Sequence, residues 1–180
     1  MQLHPDCERL LLDEKQIEEG VARAAAFLEG RLDGKDPLFI CILKGSIVFF
    51  GDLIRAVKMP LTIDCMSVSS YGSSTTSSEL HIRQDLKTDV AERNVVIVED
   101  IIDSGRTIYF LKHYLEKKGA ASVTTVTLLD KPERRVVDLR TDFSCFEIED
   151  EFVVGYGLDY AEHYRNLPYV GILKRSVYEK

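Results

Sequence analysis

The segment from residue 95 to residue 107 combines residue types that suit a phosphate and a cation. It reads VVIVEDIIDSGRT. Four apolar residues typical of a buried strand lead to adjacent acids, Glu99 and Asp100, and then to Asp103 ahead of Ser-Gly and a helical pattern. Ligands of open α/β sheets bind at the carboxyl ends of strands, and a helix N-terminus offers free N–H groups to a phosphate. The segment therefore predicts a phosphate site beside carboxylates that suit Mg²⁺ or sugar hydroxyls.

Two other phosphate-binding motifs do not occur in the chain, and a purely structural interpretation of the segment is also open. The chain has neither the Gly-x-x-x-x-Gly-Lys-Ser/Thr loop of triphosphate enzymes nor the Gly-x-Gly-x-x-Gly dinucleotide motif. A purely structural interpretation lets Asp103 or Ser104 cap the helix and leaves the paired acids as a solvated strand end. Capping and binding are compatible roles for Asp103, because a cap uses only one carboxylate oxygen.

The neighbouring elements must bring this segment to the edge of a sheet. Asp13 and Gln16 form a capping-box pattern at the start of a helix. The apolar run 38–43 predicts a strand buried on both faces, and Ser46 is a candidate cap for a second helix. The wide apolar face of that helix indicates burial in the core and at a subunit contact.

Later elements repeat the strand–helix–strand order, which predicts a mainly parallel sheet. The α/β interpretation includes a helix at 106–118 with Gly119 as its C-cap. The polar run 69–78 cannot build a core and should be mobile. The predicted later strands cover residues 61–68, 95–98, 123–129, 143–148, 152–154 and 169–173.

Composition limits the class of protein. The chain has 180 residues, a formal net charge of −7 and no apolar run long enough to span a bilayer. The charge argues against a nucleic-acid partner, since phosphate backbones favour a basic surface, and no membrane partner is expected. With no secretory signal in view, we expect a cytoplasmic protein. Because the four cysteines are scattered along the chain, we expect them to be structural thiols and not metal ligands or disulfide partners. We expect His113 to lie on a helix surface.

Several motifs together carry a family resemblance. The 95–107 segment resembles the phosphoribosyl-pyrophosphate signature of type I phosphoribosyltransferases. Residues 43–45 resemble the pyrophosphate loop of the hypoxanthine-guanine phosphoribosyltransferase family, and residues 70–72 resemble the start of its flexible loop. Residues 130–132 resemble the segment with its purine-binding lysine, and residues 152–160 resemble its base-stacking segment. Arg165 follows at the family's spacing. The resemblance, of bacterial size, runs from about residue 10 to about residue 178.

The resemblance implies a reaction and its ligands. A 5-phosphoribosyl group would pass from phosphoribosyl pyrophosphate to N9 of a 6-oxopurine, hypoxanthine or guanine, making IMP or GMP and pyrophosphate with Mg²⁺. Asp103 would be the general base beside purine N7. Pyrophosphate would be held by Lys44, Gly45 and Arg165. Ribose and the 5′-phosphate would be held by Glu99, Asp100, Asp103, Ser104, Gly105, Arg106 and Thr107. The purine base would contact Lys131, Phe152, Val153 and Asp159, and the metal would be held by Glu99, Asp100 and Asp159. Ser70 and Tyr71 would begin the loop that closes the site. Arg106 stands where the family often has Lys, so a cation is retained.

The resemblance also implies an architecture. We expect one domain over residues 1–180, with a core at about 10–130, a small hood from about 131–180 and a mobile loop at about 70–80. A homodimer or homotetramer is expected. The main alternative is a regulator that keeps the fold but senses nucleotide and binds RNA or DNA. A methyltransferase-like enzyme is a third possibility, but it would need a glycine-rich loop after the first buried strand, and LKGS does not supply one.

Overall fold

The structure, a computed structural model, describes residues 2–71 and 79–179. Within these ranges the chain forms nine β-strands and four α-helices. The strands are β1 (Cys7–Leu12), β2 (Leu38–Leu43), β3 (Thr62–Tyr71), β4 (Glu79–Gln84), β5 (Asn94–Ile102), β6 (Ser122–Asp130), β7 (Phe143–Glu147), β8 (Val153–Val154) and β9 (Val170–Leu173). The helices are α1 (Glu14–Leu32), α2 (Ile47–Ala56), α3 (Arg106–Lys117) and α4 (Arg175–Tyr178), with a 3-10 turn at Pro132–Arg134.

Six strands form the main sheet, in the order β4-β3-β2-β5-β6-β7. All neighbours are parallel except β4, which runs antiparallel to β3. The expected α/β fold with a mainly parallel sheet is confirmed. The predicted strand 61–68 continues to Tyr71 in the structure, because β4, which the sequence pattern did not reveal, supplies a hydrogen-bonding partner for Ser69, Ser70 and Tyr71. The rest of the predicted mobile run, residues 72–78, lies outside the described residues.

Helices cover both faces of the sheet. Phe39 and Cys41 of β2 pack into a core with α1 and α2, whereas Leu38, Ile40 and Ile42 of the same strand pack on the opposite face with α3. A parallel strand covered on both faces has no solvated side, which explains its unbroken apolar run. No helix in the described part of the chain is both long enough and apolar enough to cross a membrane.

The helix starts follow the sequence patterns only in part. The capping box of α1 is present, with Gln16 N–H donating to Asp13 at 2.8 Å and the Gln16 side chain accepting from the Asp13 N–H at 2.9 Å. Ser46 occupies the N-cap position of α2, but its side chain does not cap. Its hydroxyl donates instead to the Ile42 carbonyl at 2.7 Å, which ties the loop back to the end of β2.

A second, three-stranded antiparallel sheet, β1-β9-β8, forms the hood. Its C-terminal strands were expected, but β1 was not, and it joins the hood by pairing with β9. Conversely, β7 falls in the range assigned to the hood and pairs with β6 in the main sheet. Sequence order alone does not separate these two sheets, because strand pairing is decided in space.

The hood and the main sheet meet at two glycines. Gly157 has a φ of +102°, and a β-carbon there would lie 2.0 Å from the Gly45 carbonyl oxygen in the loop after β2. Only glycine accepts this conformation and this backbone approach without strain.

We expect Gly157→Ala to lower the free energy of unfolding by about 1–3 kcal/mol, because both the φ angle and the contact become strained. The control is Gly30→Ala, at an exposed position of α1 where a β-carbon meets nothing within 4 Å, which should stabilise by about 0.5–1 kcal/mol. Urea unfolding of both variants measures the difference. Equal stability of the two variants would contradict the close approach.

Candidate active site

Two adjoining clefts open at the carboxyl edge of the main sheet. One, of about 330 Å³, lies over the ends of β2 and β5; the other, of about 570 Å³, lies between that edge and the hood. They share Asp100, Ile101, Asp103 and Asp159. We call the first the phosphate cleft and the second the base cleft. A ligand that extends through both clefts would therefore have its central atoms next to these shared residues.

The turn after β5 forms the floor of the phosphate cleft. Ser104, Gly105 and Thr107 line it, while Arg106 is exposed and lines neither cleft. Gly105, with a φ of +80°, is the N-cap residue of α3. Asp103 is therefore not the cap that the structural interpretation of the sequence suggested, and its carboxylate accepts a hydrogen bond from Arg134 Nε at 2.8 Å.

The loop after β2 borders the same cleft with Lys44 and Gly45. The peptide bond between Leu43 and Lys44 is cis. A β-carbon on Gly45 would lie 1.8 Å from Asp100 Oδ2. Glycine therefore allows this loop to pack directly against the acids at the end of β5.

Arg165 reaches the phosphate cleft from the hood. Its guanidinium donates to the Gly157 carbonyl at 2.7 Å and contacts the Asp159 carboxylate at 2.8 Å and Glu162 at 3.6 Å. Glu162 also bonds Lys44 Nζ at 2.9 Å, and this hydrogen bond lowers the pKa of Glu162. Glu162 thus contacts both cations that border the cleft, and Asp159 contacts one of them as well.

The paired acids at the end of β5 differ in environment. Glu99 is 9% exposed, and its Oε2 is buried with no hydrogen-bond partner in the described part of the chain. Burial raises the pKa of Glu99 well above its usual range, and the neighbouring Asp100 adds to this shift. Asp100 accepts a hydrogen bond from the Ile101 N–H at 2.9 Å. A buried carboxyl oxygen without a partner, next to an open cleft, is suited to a hydroxyl donor or a hydrated cation.

A metal at this edge would rely on few protein ligands. Among residues 2–71 and 79–179, no group of three or more His, Cys, Asp or Glu side chains is arranged to hold a metal ion. Mg²⁺ does not need such a group, because it keeps several waters and binds through one or two carboxylates together with substrate phosphates. Glu99 and Asp100 fit that requirement, and Asp159 lines both clefts while its Oδ1 is engaged by Arg165.

In the base cleft, a chain of charged groups leads from Asp103 to Lys131. Lys131 is 7% exposed, and its Nζ lies 3.4 Å from Asp150 Oδ1. Arg134 bonds the other Asp150 oxygen at 3.0 Å as well as Asp103. Its hydrogen bond lowers the pKa of Asp150. Neither Arg134 nor Asp150 was expected at the site, because charged residues between predicted elements are typical of a solvated surface.

Phe152 and Val153 line the base cleft beside Lys131. Phe152 is 37% exposed, whereas Val153 next to it is buried. The Phe152 ring contacts two tyrosine rings, Tyr160 and Tyr178, and Tyr178 also lines the cleft. No sequence signal pointed to Tyr178, because it lies far along the chain from the recognised motifs.

The predicted site residues are therefore mostly brought together. Lys44, Gly45, Glu99, Asp100, Asp103, Ser104, Gly105, Thr107, Asp159 and Arg165 line the phosphate cleft, and Lys131, Phe152 and Val153 line the base cleft. Ser70 and Tyr71 are the last residues of β3, and the loop that they were expected to open lies outside the described residues. The four cysteines are free thiols, and His113 lies on the exposed surface of α3.

The chain is similar to known proteins over nearly its whole length. Residues 10–161 match the family model described as a phosphoribosyl transferase domain. The hypoxanthine-guanine phosphoribosyltransferase of Bacillus subtilis is 49% identical over 175 residues, covering 97% of each chain. That of Streptococcus pneumoniae is 46% identical over 177 residues, covering 98% of each.

Solved structures are similar to the chain as well. A hypoxanthine phosphoribosyltransferase from Staphylococcus aureus superimposes with a TM-score of 0.95 at 42% identity, covering 98% of this chain and 97% of that one. The hypoxanthine phosphoribosyltransferase of Trypanosoma cruzi in complex with the product IMP superimposes with a TM-score of 0.93 at 34% identity, covering 99% of this chain and 100% of that one. The family model matches most of the chain, and relatives of this identity align with nearly all of it. The chain therefore belongs to the hypoxanthine-guanine phosphoribosyltransferase family.

Proposed function

We propose that this chain salvages purine bases by transferring the 5-phosphoribosyl group of phosphoribosyl pyrophosphate to N9 of hypoxanthine or guanine. The products are IMP or GMP and pyrophosphate. The observation that carries the proposal is the junction of the two clefts at Asp100, Ile101, Asp103 and Asp159. A phosphoribosyl group in the phosphate cleft and a purine in the base cleft would meet there, at the bond that forms.

The phosphate cleft suits both anionic ends of the sugar substrate. The backbone N–H groups after Asp103, together with the Ser104 and Thr107 hydroxyls, suit the 5′-phosphate. Lys44 and Arg165 supply positive charge for the pyrophosphate, and Gly45 supplies an N–H. Because Glu162 is exposed and its ion pairs are weak in water, a pyrophosphate can replace it on both cations.

We assign Mg²⁺ to the acids at the end of β5. Glu99 and Asp100 would hold the ribose hydroxyls and the hydrated ion, with Asp159 as a further candidate. When bound, the ion would neutralise the negative charge that grows on the departing pyrophosphate. The Oε2 atom of Glu99 would gain the hydrogen-bond partner that it lacks in the ligand-free chain.

Asp103 is the proposed general base. A purine that attacks through N9 must lose or share its proton, and a carboxylate beside N7 can accept it. Arg134 holds that carboxylate at the mouth of the base cleft. Lys131 would donate to purine O6, Phe152 would stack on the ring, and Val153 would offer backbone groups to its edge.

We further infer that the chain works as a homodimer or homotetramer. Ile47 at the start of α2 is 54% exposed, and a groove of about 640 Å³ runs between α1, α2 and residues 165–168. A second copy would cover this apolar face. Sedimentation velocity would show a single monomeric species if the inference were wrong.

The proposed setting is the cytoplasm. All four cysteines are free, and burial raises the pKa of the Cys41 thiol to about 11 and that of Cys145 to about 12. Unpaired thiols are usual in a reducing compartment.

The direct test is a nucleotide-formation assay with hypoxanthine, guanine, xanthine and adenine, with and without Mg²⁺. We expect product from the 6-oxopurines and only with the metal. A gel shift with RNA and DNA at physiological salt, run on the same preparation, tests the regulator alternative. Nucleic-acid binding without nucleotide formation would favour the regulator.

Asp103→Asn should lower kcat by about 10²-fold, because the variant keeps the shape of the side chain and loses its basicity. The melting temperature should change little, since the Arg134 contact is half exposed. Asp138→Asn, at an exposed position of the same region, is the control and should leave both quantities unchanged. Normal turnover of Asp103→Asn would remove Asp103 from the chemistry.

Lys131→Met should lower kcat/KM for hypoxanthine by about 10–100-fold, because an ammonium donor suits the O6 acceptor and methionine offers none. Discrimination against adenine, which carries a donor at that position, should narrow. Lys87→Met, at an exposed lysine outside both clefts, serves as the control. Unchanged adenine rejection together with retained hypoxanthine use would assign selectivity to the backbone near Val153.

Glu99→Gln should stabilise the ligand-free protein at neutral pH while lowering kcat/KM by about tenfold or more. Because the folded state raises the pKa of Glu99, wild-type stability falls as pH rises from the pKa of the unfolded chain to that of the folded one. Glutamine does not titrate, so the stability gain of the variant should grow across that window. Thermal melts at a series of pH values measure it, and a constant difference between variant and wild type at every pH would contradict the assignment.

A further inference from the structure

The aromatic ring assigned to purine stacking is itself held by two tyrosines. Tyr178 of α4 stacks on Phe152 with ring centroids 4.7 Å apart and an interplanar angle of 21°. Tyr160 meets the same ring edge-on, at 5.7 Å and 84°. A centroid distance of 4.7 Å is direct contact between stacked rings, so no base fits between Phe152 and Tyr178. One face of Phe152 remains for a ligand.

Phe152 has little other support. The residue is 37% exposed, and it precedes a strand of only two residues, β8. Its backbone is fixed, because its carbonyl accepts a hydrogen bond from the Leu173 N–H at 2.8 Å. The backbone bond leaves the side-chain torsions free, and ordering a loose ring when a base binds reduces affinity.

Tyr178, by contrast, sits on an anchored element. The Lys174 N–H donates to the Asp6 carbonyl at 2.9 Å, and the Lys174 side chain donates to the Pro5 carbonyl at 2.5 Å. Val177 and Tyr178 both pack against the small apolar cluster of the hood that contains Cys7, Val154, Tyr169 and Leu173. The position of the Tyr178 ring is thus set by both ends of the described chain.

We propose that Tyr178 is a positioning residue for purine recognition, which fixes the plane of the Phe152 ring so that the base stacks on the opposite face. This inference rests on the proposed function and deepens it. The ring, not the hydroxyl, carries the effect, because the contact with Phe152 is a stack. Tyr178 would therefore act on the affinity for the purine and leave the sugar substrate and the chemical step unaffected.

The test compares Tyr178→Ala, Tyr178→Leu and Tyr178→Phe with the wild type. For the Ala and Leu variants we expect KM for hypoxanthine to rise about three- to tenfold, with KM for phosphoribosyl pyrophosphate and kcat within twofold of wild type. Tyr178→Phe should restore the wild-type value. Tyr109→Ala, an exposed aromatic of α3 that lines neither cleft, is the control. Calorimetric titration with IMP gives a second readout that does not depend on turnover.

Each other outcome overturns the inference. A lower KM for hypoxanthine in Tyr178→Ala would mean that Tyr178 occupies the place of the base. Equal changes in KM for both substrates, failure of Tyr178→Phe to restore binding, or no change at all would make the contact merely structural. Tyr178→Leu keeps apolar volume at this position, so it remains informative if Tyr178→Ala does not fold. An inactive wild type would instead contradict the proposed function.

Discussion

The site depends on one constraint: three neighbouring parallel strands end at the same edge of the main sheet. The register aligns Cys41 of β2 with Val98 of β5, and Ile102 of β5 with Asp130 of β6. As a result, the turns that follow these strands carry Lys44, Asp103 and Lys131 to one side of the molecule. Hydrogen bonding along the ladder and burial on both faces hold this alignment. This alignment brings three segments that are distant in sequence to one site.

The hood turns this edge into two clefts. Gly157 contacts the Gly45 carbonyl, and Arg165 reaches back over the same loop while bonding the Gly157 carbonyl. The hood is itself assembled from both ends of the described chain, since β1 pairs with β9 and β9 with β8. The hood side of the site is therefore coupled to residues 7–12, which line neither cleft.

Charge pairing prepares the clefts for their ligands. Glu162 contacts Lys44 and Arg165, and Arg134 contacts Asp103 and Asp150. Exposed pairs of this kind contribute about 0–1 kcal/mol each, so they orient the side chains yet yield to a ligand of higher charge. A further ion pair, between Arg135 and Asp130, is largely buried and has a different role. It anchors the 132–135 turn to the end of β6.

The sequence by itself determined the α/β class, the helix start at Asp13, the buried strands and the phosphate turn after β5. These features depend on local patterns: the spacing of apolar residues, a capping box and a Ser-Gly turn after acids. It also named most residues of the two clefts, because the motifs that carry the resemblance contain them. Tertiary structure alone decided that β1 joins the hood and β7 the main sheet, that Asp103 bonds Arg134 and does not cap α3, and that Tyr178 stacks on Phe152. Each of these is a choice of partner in space, and composition and periodicity carry no record of which partner a residue meets.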